Sequence, residues 1–404
     1  MISNILTMSG VKSLKDIELS GKRVLIRVDF NVPMDEHYTI GDDSRIRAAL
    51  PTINYCIDHK AASIILVSHL GRPKGIFDER YTLRHLQKRL ERLLEKKVAF
   101  VETLEELQTK ASKADESEIF LLENIRFFEG EKKNDPAFCA QLADLCDVYV
   151  NDAFGTAHRK DASTYGITDF AQTKVAGFLM MREIDAFMKA LENPIRPIAL
   201  VVGGSKISTK ITLLSSVIPK IDKLIIGGAM SNTFLKALGY DMKRSLVEDD
   251  YVETAKEVLK TAKVYGVKVY LPVDVVITDS INTPVDIKVV PVQDVLEGFY
   301  AVDIGPATLK LFSEAVELSN TIIWNGPMGI YEISQFAKGT FKLASTIAES
   351  YAFSIVGGGD TADAVEKAGE KEHFSFISTG GGASLELLEG KVLPGFEKLD
   401  RNVS

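Results

Sequence analysis

Apolar positions along the chain fall into short unbroken runs, and the stretches between them carry apolar residues on one helical face. Runs at residues 23–29, 63–67, 119–122 and 147–150 predict strands buried on both sides. The patterns at 45–59, 83–96 and 136–145 predict helices between them. Strands alternating with helices of this length imply right-handed βαβ units and a parallel sheet. Further runs at 198–202, 224–226, 321–324, 353–356 and 376–378 continue the same α/β rhythm. In open α/β sheets ligands bind beyond the carboxyl ends of the strands, so the residues just after each run carry the chemistry.

With 404 residues, two domains of about 200 residues each are expected. The boundary is marked by a one-sided helix over 182–191, with Ile184, Phe187, Met188 and Leu191 on its apolar face. Asn193-Pro194 ends it, and Arg196-Pro197 stiffens the approach to the next strand. A helix in place of a Gly/Ser tether predicts a defined hinge.

In the first half the strand ends deliver basic side chains. After the first run come Asp29-Phe30-Asn31-Val32-Pro33, with Arg45 opening the next helix. His69 and Arg72 come after the second, Arg126 after the third, and His158-Arg159 after the fourth. Any one of these arginines alone reads as a loop or helix-end surface residue. Convergence of Arg45, His69, Arg72, Arg126 and Arg159 at one sheet edge instead suits a small, multiply anionic substrate, because guanidinium forks match phosphate and carboxylate oxygens. Asp29 and Asn31 are then available for hydroxyl groups. A metal site at His69 and His158 lacks a second His or Cys at ligand spacing. The net charge of -8 and a pI near 5.5 argue against nonspecific nucleic-acid binding and against a polybasic membrane surface. An anionic ligand must be gathered by a local cluster.

In the second half the strand ends deliver glycines: Gly203-Gly204, Gly227-Gly228, Gly326 to Gly329, Gly357-Gly358-Gly359 and Gly380-Gly381-Gly382. Bare backbone there permits close approach to phosphates or a flat ring. After Gly203-Gly204, Ser205 or Ser208 is expected to cap a helix, with Lys206 and Lys210 one turn apart at its start. Neither GxxxxGK[ST] nor GxGxxG occurs, so a P-loop and a typical dinucleotide fold are both unsupported. Asp360 reads either as a Mg²⁺ ligand or as a plain N-cap. Glu332 reads as an acceptor for ribose hydroxyls or as a helix-start residue. Cys56, Cys139 and Cys146 cannot all pair and form no CxxC, so a reducing cytoplasm is expected. Residues 1–13 lack the pattern of a secretory signal, and no apolar run approaches a membrane span.

Taken together, the chain resembles the phosphoglycerate kinases over essentially its whole length. The carrying segments are Arg27-Val28-Asp29-Phe30-Asn31-Val32-Pro33, Ser68-His69-Leu70-Gly71-Arg72-Pro73, Leu122-Glu123-Asn124-Ile125-Arg126-Phe127 and the run from Asn151 to Arg159. In the second half they are Gly203-Gly204-Ser205-Lys206-Ile207-Ser208, Trp324-Asn325-Gly326-Pro327-Met328-Gly329, Gly357-Gly358-Gly359-Asp360-Thr361 and the run from Ser378 to Ser384. The resemblance implies two doubly wound, Rossmann-like domains: 1–181 for 3-phosphoglycerate, a hinge at 182–197, 198–390 for Mg-ADP or Mg-ATP, and a tail, 391–404, packing back on the first. It implies that Asp29, Asn31, Arg45, His69, Arg72, Arg126 and Arg159 hold the sugar acid. Lys206, Lys210, Asn325, Glu332, Asp360 and Thr361 would serve nucleotide and Mg²⁺, Asp360 as metal ligand. The turn residues Gly204, Gly228, Gly326, Pro327, Gly357, Gly358 and Gly359 would line the same site. Arg45, Lys206 and the amides of Gly381 and Gly382 would face the transferring phosphoryl group. A monomer is the implied state. The chain departs from the pattern at Ser205, Thr209, Phe128-Glu129-Gly130 and Lys160-Asp161; none of these removes a residue with an implied chemical role.

The implied reaction, reversible transfer from 1,3-bisphosphoglycerate to ADP, needs no general base, because the reverse nucleophile is a carboxylate already ionised at neutral pH. The chain accordingly offers no convincing His–Asp or Ser–His pair. Alignment, charge stabilisation and exclusion of water remain for the protein, through closure at the hinge. A nicotinamide oxidoreductase would need a glycine fingerprint that is missing. A silent scaffold of the same fold would be expected to lose Lys206, Arg45 or Asp360, and all three are present.

Overall fold

A computed structural model of the chain describes residues 4–73, 75–114 and 117–402. The chain divides into two compact units, Met1–Asp185 with Val392–Ser404, and Ala186–Lys391. In the first unit the strands are β1 (Arg23–Val28), β2 (Ser63–Val67), β3 (Val98–Val101), β4 (Glu118–Leu122), β5 (Val148–Asp152) and β6 (Thr173–Ala176). They form one sheet in the order β3-β4-β2-β1-β5-β6, parallel throughout. Val24 pairs with Ile64 on one side and Val148 on the other, and Val24, Ile26, Val28, Ile53 and Ile64 pack in one buried core. The sequence pattern did not predict β3 or β6. Both are short and half-buried at the sheet edges: β6 opens on the polar Thr173 and Lys174, and the apolar run of β3 is only four residues long and comes directly after a helical pattern. Strand β5 runs two residues past its predicted end and takes the buried Asn151 and Asp152 into the sheet.

The second unit holds β7 (Ile198–Val202), β8 (Lys223–Ile226), β9 (Lys268–Tyr270), β10 (Asp274–Thr278), β11 (Ile287–Pro291), β12 (Tyr300–Ile304), β13 (Thr321–Asn325), β14 (Phe353–Val356) and β15 (Phe376–Ile377). Six of them form a parallel sheet, β15-β14-β13-β7-β8-β9. The other three form a separate antiparallel sheet, β11-β10-β12, with its own small core of Leu235, Met242, Val275, Ile277, Val292 and Val295. The apolar pattern did not predict this sheet. Its strand β11 is largely exposed and carries a proline, which hides the strand signal.

The helix predicted over 182–191 is Phe178–Leu191, and the division between the units falls inside it. Its early start has a long-range cause. Asp152 Oδ1 accepts from the amides of Leu179 (2.9 Å) and Met180 (3.3 Å), and Thr52 Oγ1 accepts from Phe178 N (3.0 Å). These partners satisfy helix-start donors that no neighbouring residue in sequence serves.

The end of the chain packs within the first unit. Lys12 N donates to Asp400 O (2.7 Å), Gly395 N donates to Ala157 O (2.8 Å), and Asn151 Nδ2 donates to Gly395 O (3.1 Å). Val403 and Ser404, the last residues of the expected 391–404 tail, lie outside the described residues. All three cysteines are free, Cys56 and Cys139 buried and Cys146 partly so.

Candidate active site

The carboxyl ends of β1, β2, β4 and β5 carry the basic residues. Asp29 comes directly after β1, with its Oδ1 accepting from Asn31 N (3.1 Å) and lying 3.9 Å from His69 Nδ1. Asn31 Oδ1 accepts from Gly71 N (2.8 Å), and Arg45 Nη1 donates to Asn31 O. Arg45 sits in the first turn of the helix Ser44–Asp58, where the helix dipole disfavours a cation, so its placement costs something that a bound anion would offset. Arg126 lies in a single 3₁₀ turn, Ile125–Phe127, that Asn124 caps. Its Nη1 donates to Gly71 O, but Nε and Nη2 are buried without a hydrogen-bond partner. Arg159 Nε donates to His158 Nε2 (3.3 Å). Arg72 is exposed on the loop after β2.

Arg27, the fifth residue of β1, belongs to this cluster and was not singled out from sequence. It is 1 % exposed, and Nη2 lies 3.3 Å from His69 Nδ1. A charged residue inside an otherwise apolar strand was the available signal. Burial pushes His69 well below the imidazole range, and the charges of Arg27, Arg126, Arg159 and Arg45 push the same way. Burial, then Arg159 and Arg27, bring Arg126 down to about 10. Four guanidinium groups therefore act on one histidine, and two donors of Arg126 lack acceptors. Such an arrangement is costly until an anion enters it.

At the carboxyl ends of the second parallel sheet the glycine turns fall into two kinds. Gly203 N donates to Asn325 O (3.1 Å), Gly204 N to Pro327 O (2.9 Å) and Gly228 N to Met328 O (3.1 Å). A Cβ on Gly203 would lie 2.1 Å from Pro327 O, and one on Gly228 2.5 Å from Gly204 N. Those turns need glycine because their backbones pack on each other. Around Gly204, Gly359 and Gly381 a Cβ would meet nothing within 4 Å, which leaves bare backbone for a ligand.

Asn325 joins the turns, its Nδ2 donating to Gly357 O (2.7 Å) and its Oδ1 accepting from Lys210 Nζ. Thr361 Oγ1 accepts from Gly326 N (2.7 Å). Burial lowers the Lys210 ammonium, opposed by Asp360 and Glu389. Lys206 is exposed. The expected serine cap is not formed. Ser208 instead donates its hydroxyl (2.6 Å) and amide (3.0 Å) to Glu248, a 3₁₀ turn occupies Ile207–Thr209, and the helix starts only at Ile211. Asp360 is the second residue of the helix Gly359–Lys367 and is exposed; it makes no capping bond. Gly381, with φ +44, precedes the helix Gly382–Leu388.

A cavity of about 560 Å³ opens beside these turns, lined by Gly204, Gly228, Pro327, Glu332 and Asp360 and by Leu246, Val275, Tyr300, Val302 and Ile304. Its size and apolar wall suit a small molecule with a flat ring. That wall comes largely from the unpredicted antiparallel sheet. Among the described residues no group of three or more His, Cys, Asp or Glu could cage a metal. A single exposed carboxylate at Asp360 fits Mg²⁺, which keeps most of its waters and takes phosphate oxygens from a nucleotide.

Residues 14–391 match the family described as phosphoglycerate kinase. A protein named phosphoglycerate kinase from Wolinella succinogenes is 60 % identical over 401 residues, covering 99 % of this chain and 100 % of that one. One from a strain of Helicobacter pylori is 58 % identical over 401 residues, with 99 % and 100 % covered. Among solved structures, phosphoglycerate kinase from Coxiella burnetii superposes with a TM-score of 0.88 at 40 % identity, over 96 % of this chain and 98 % of that one. The enzyme from Pyrococcus horikoshii OT3 gives 0.82 at 31 % identity, with the same coverage.

Proposed function

Because the chain belongs to the phosphoglycerate kinase family, we propose that its first unit holds 3-phosphoglycerate or 1,3-bisphosphoglycerate and its second holds ADP or ATP. The chain is a glycolytic phosphotransferase with a carboxyl group as acceptor. The observation that carries the assignment of the acid is Arg126, buried with two unpartnered donors among Arg27, Arg45 and Arg159. Phosphate and carboxylate oxygens satisfy those donors and offset the mutual repulsion. Arg72, on the exposed loop, adds a mobile charge, and Asp29 and Asn31 take the hydroxyl.

The nucleotide's ring occupies the apolar cavity, with Glu332 toward the ribose and the open backbone at Gly204, Gly359, Gly381 and Gly382 toward the phosphates. When bound, Mg²⁺ supplies charge neutralisation on the phosphates, and Asp360 holds it. Among the described residues Lys206 has no fixed side-chain partner to leave, and it can follow charge from the acyl phosphate to the nucleotide. The substrate carboxylate is the nucleophile in the ATP-consuming direction, so a histidine held neutral suffices at the acid site. Transfer is direct and in line, and requires the two units to close so that reacting atoms come within about 3–3.5 Å. We place this reaction in the cytoplasm, in a monomer; no helix of the described residues is long and apolar enough to cross a membrane.

Calorimetric titration of each ligand separately tests the division. Arg126→Met should weaken 3-phosphoglycerate by about 1.5–3 kcal/mol and leave ADP unchanged. Equal weakening of both, or of neither, contradicts the assignment.

A further inference from the structure

Behind the basic cluster lies a buried carboxylate that phosphoryl transfer does not use. Glu131, in the short helix Glu129–Lys133, is 1 % exposed. Its Oε2 accepts from Ser163 N at 2.8 Å and its Oε1 from the Ser163 hydroxyl at 2.7 Å. That hydroxyl in turn accepts from Arg27 Nε at 2.8 Å, and Arg27 Nη2 reaches His69 Nδ1 at 3.3 Å. One serine oxygen thus couples a buried carboxylate to a buried guanidinium, and the guanidinium reaches the histidine of the anion site.

The serine is itself held from both sides. Ala162 N donates to Glu131 O (2.9 Å), and the Tyr149 hydroxyl donates to Ser163 O (2.8 Å). The Arg27 charge opposes the upward push of burial on Glu131. The spacer matters. A direct Arg–Glu fork would neutralise Arg27 and compete with an incoming anion. A hydroxyl between them fixes the guanidinium plane and leaves more of its charge for the site.

We propose that Glu131 is a positioning residue for the anion site: through Ser163 it fixes Arg27, and through Arg27 the ring of His69, so that the cluster is set before substrate arrives. The inference rests on the reading that this cluster holds 3-phosphoglycerate.

The test uses the full chain with Glu131→Gln, Ser163→Ala and the double variant. Glutamine keeps the volume but removes the charge, and with its oxygen on the Ser163 amide its Nε2 can only donate to the Ser163 hydroxyl, which reverses that bond and takes the carboxylate out of the path to Arg27. Each single variant should raise the KM for 3-phosphoglycerate on the order of tenfold, as losses behind a binding shell commonly do. The KM for ATP should stay within about twofold, and the double variant should be no worse than the worse single one, since both lie on one path. A merely structural role would lower the melting temperature and leave the KM of the folded fraction unmoved. That result overturns the proposal, as do additive effects in the double variant. If Glu131→Gln does not fold, Ser163→Ala carries the same comparison. A parent enzyme that ignores 3-phosphoglycerate would overturn the reading beneath it, an outcome visible before any variant is made.

Discussion

Arg27 Nη2 and His69 Nδ1 lie 3.3 Å apart, and both side chains are buried. A guanidinium can only donate, so Nδ1 must be the acceptor and the imidazole proton must sit on Nε2. Burial and four surrounding arginines keep the ring neutral by pushing its pKa well down. We expect ¹⁵N spectra of the apo protein to show His69 neutral, with Nε2 protonated, from neutral pH down to about 5.5, a range where an ordinary histidine titrates. A resonance that titrates near ~6.5 would contradict this geometry.

Arg126 should cost the empty protein stability. Its guanidinium is lowered to about 10 by burial and by Arg159 and Arg27, so the folded state disfavours its charge. Arg126→Met keeps the apolar stem and removes the charge. Its melting temperature without ligand should rise by at least about 2 °C. A fixed concentration of 3-phosphoglycerate that saturates the parent should raise the melting temperature of the parent more than that of the variant. A lower melting temperature in the variant would show that Arg126 is held by the fold and not for the substrate.

Asp152 gives stability a pH dependence of known sign. Burial pushes its carboxyl up to about 7, against the amides of Met180 and Leu179, and Oδ2 has no partner. In the unfolded chain it titrates near ~3.9. The folded state therefore binds the proton more tightly. The stability it contributes is complete below about pH 4 and is lost as pH rises toward 7. Asp152→Asn retains an acceptor for the helix start, so it should flatten this slope and exceed the parent in stability at about pH 8. Asp303, also raised to about 7, keeps its own share of the slope in both proteins. Urea midpoints at about pH 5 and about pH 8 decide it, and parallel shifts would contradict the role given to Asp152.

Lys206 is exposed, and its value should lie in the transition state. A preorganised donor to developing charge is typically worth about 10²–10³ in kcat. Lys206→Ala should lose at least that order in kcat, with a smaller change in ADP affinity. Lys268→Ala, in the exposed start of β9, is the control and should change stability by no more than about 0.5 kcal/mol. Near-normal kcat in folded Lys206→Ala would remove it from the mechanism.

The basic cluster was legible because its residues come after strands whose apolar runs are local signals. Arg45, His69, Arg126 and Arg159 all sit beyond such runs, and the three arginines among them act on the histidine together with Arg27. Arg27 was visible only as a charge inside an apolar strand; its role was not legible, because it depends on Ser163, 136 residues away. The Phe178 helix start was hidden for the same reason, with its cap supplied by Asp152 and Thr52. The serine cap expected after Gly204 failed because Glu248, 40 residues on, offers Ser208 a carboxylate that outcompetes a helix amide. The cavity wall escaped because β10, β11 and β12 form a small, partly exposed sheet without a clear period. Short-range pattern located the sheet edges; long-range hydrogen bonds decide what happens there.

The central claim is that one chain passes a phosphoryl group directly between the carboxylate of 3-phosphoglycerate and ADP. A coupled assay of purified protein with ATP and 3-phosphoglycerate, run with Mg²⁺ and with Mg²⁺ chelated, tests it most directly. Turnover that needs both substrates and falls to background on chelation is the predicted result. A folded protein that hydrolyses ATP equally well without 3-phosphoglycerate, or turns over neither, would contradict it.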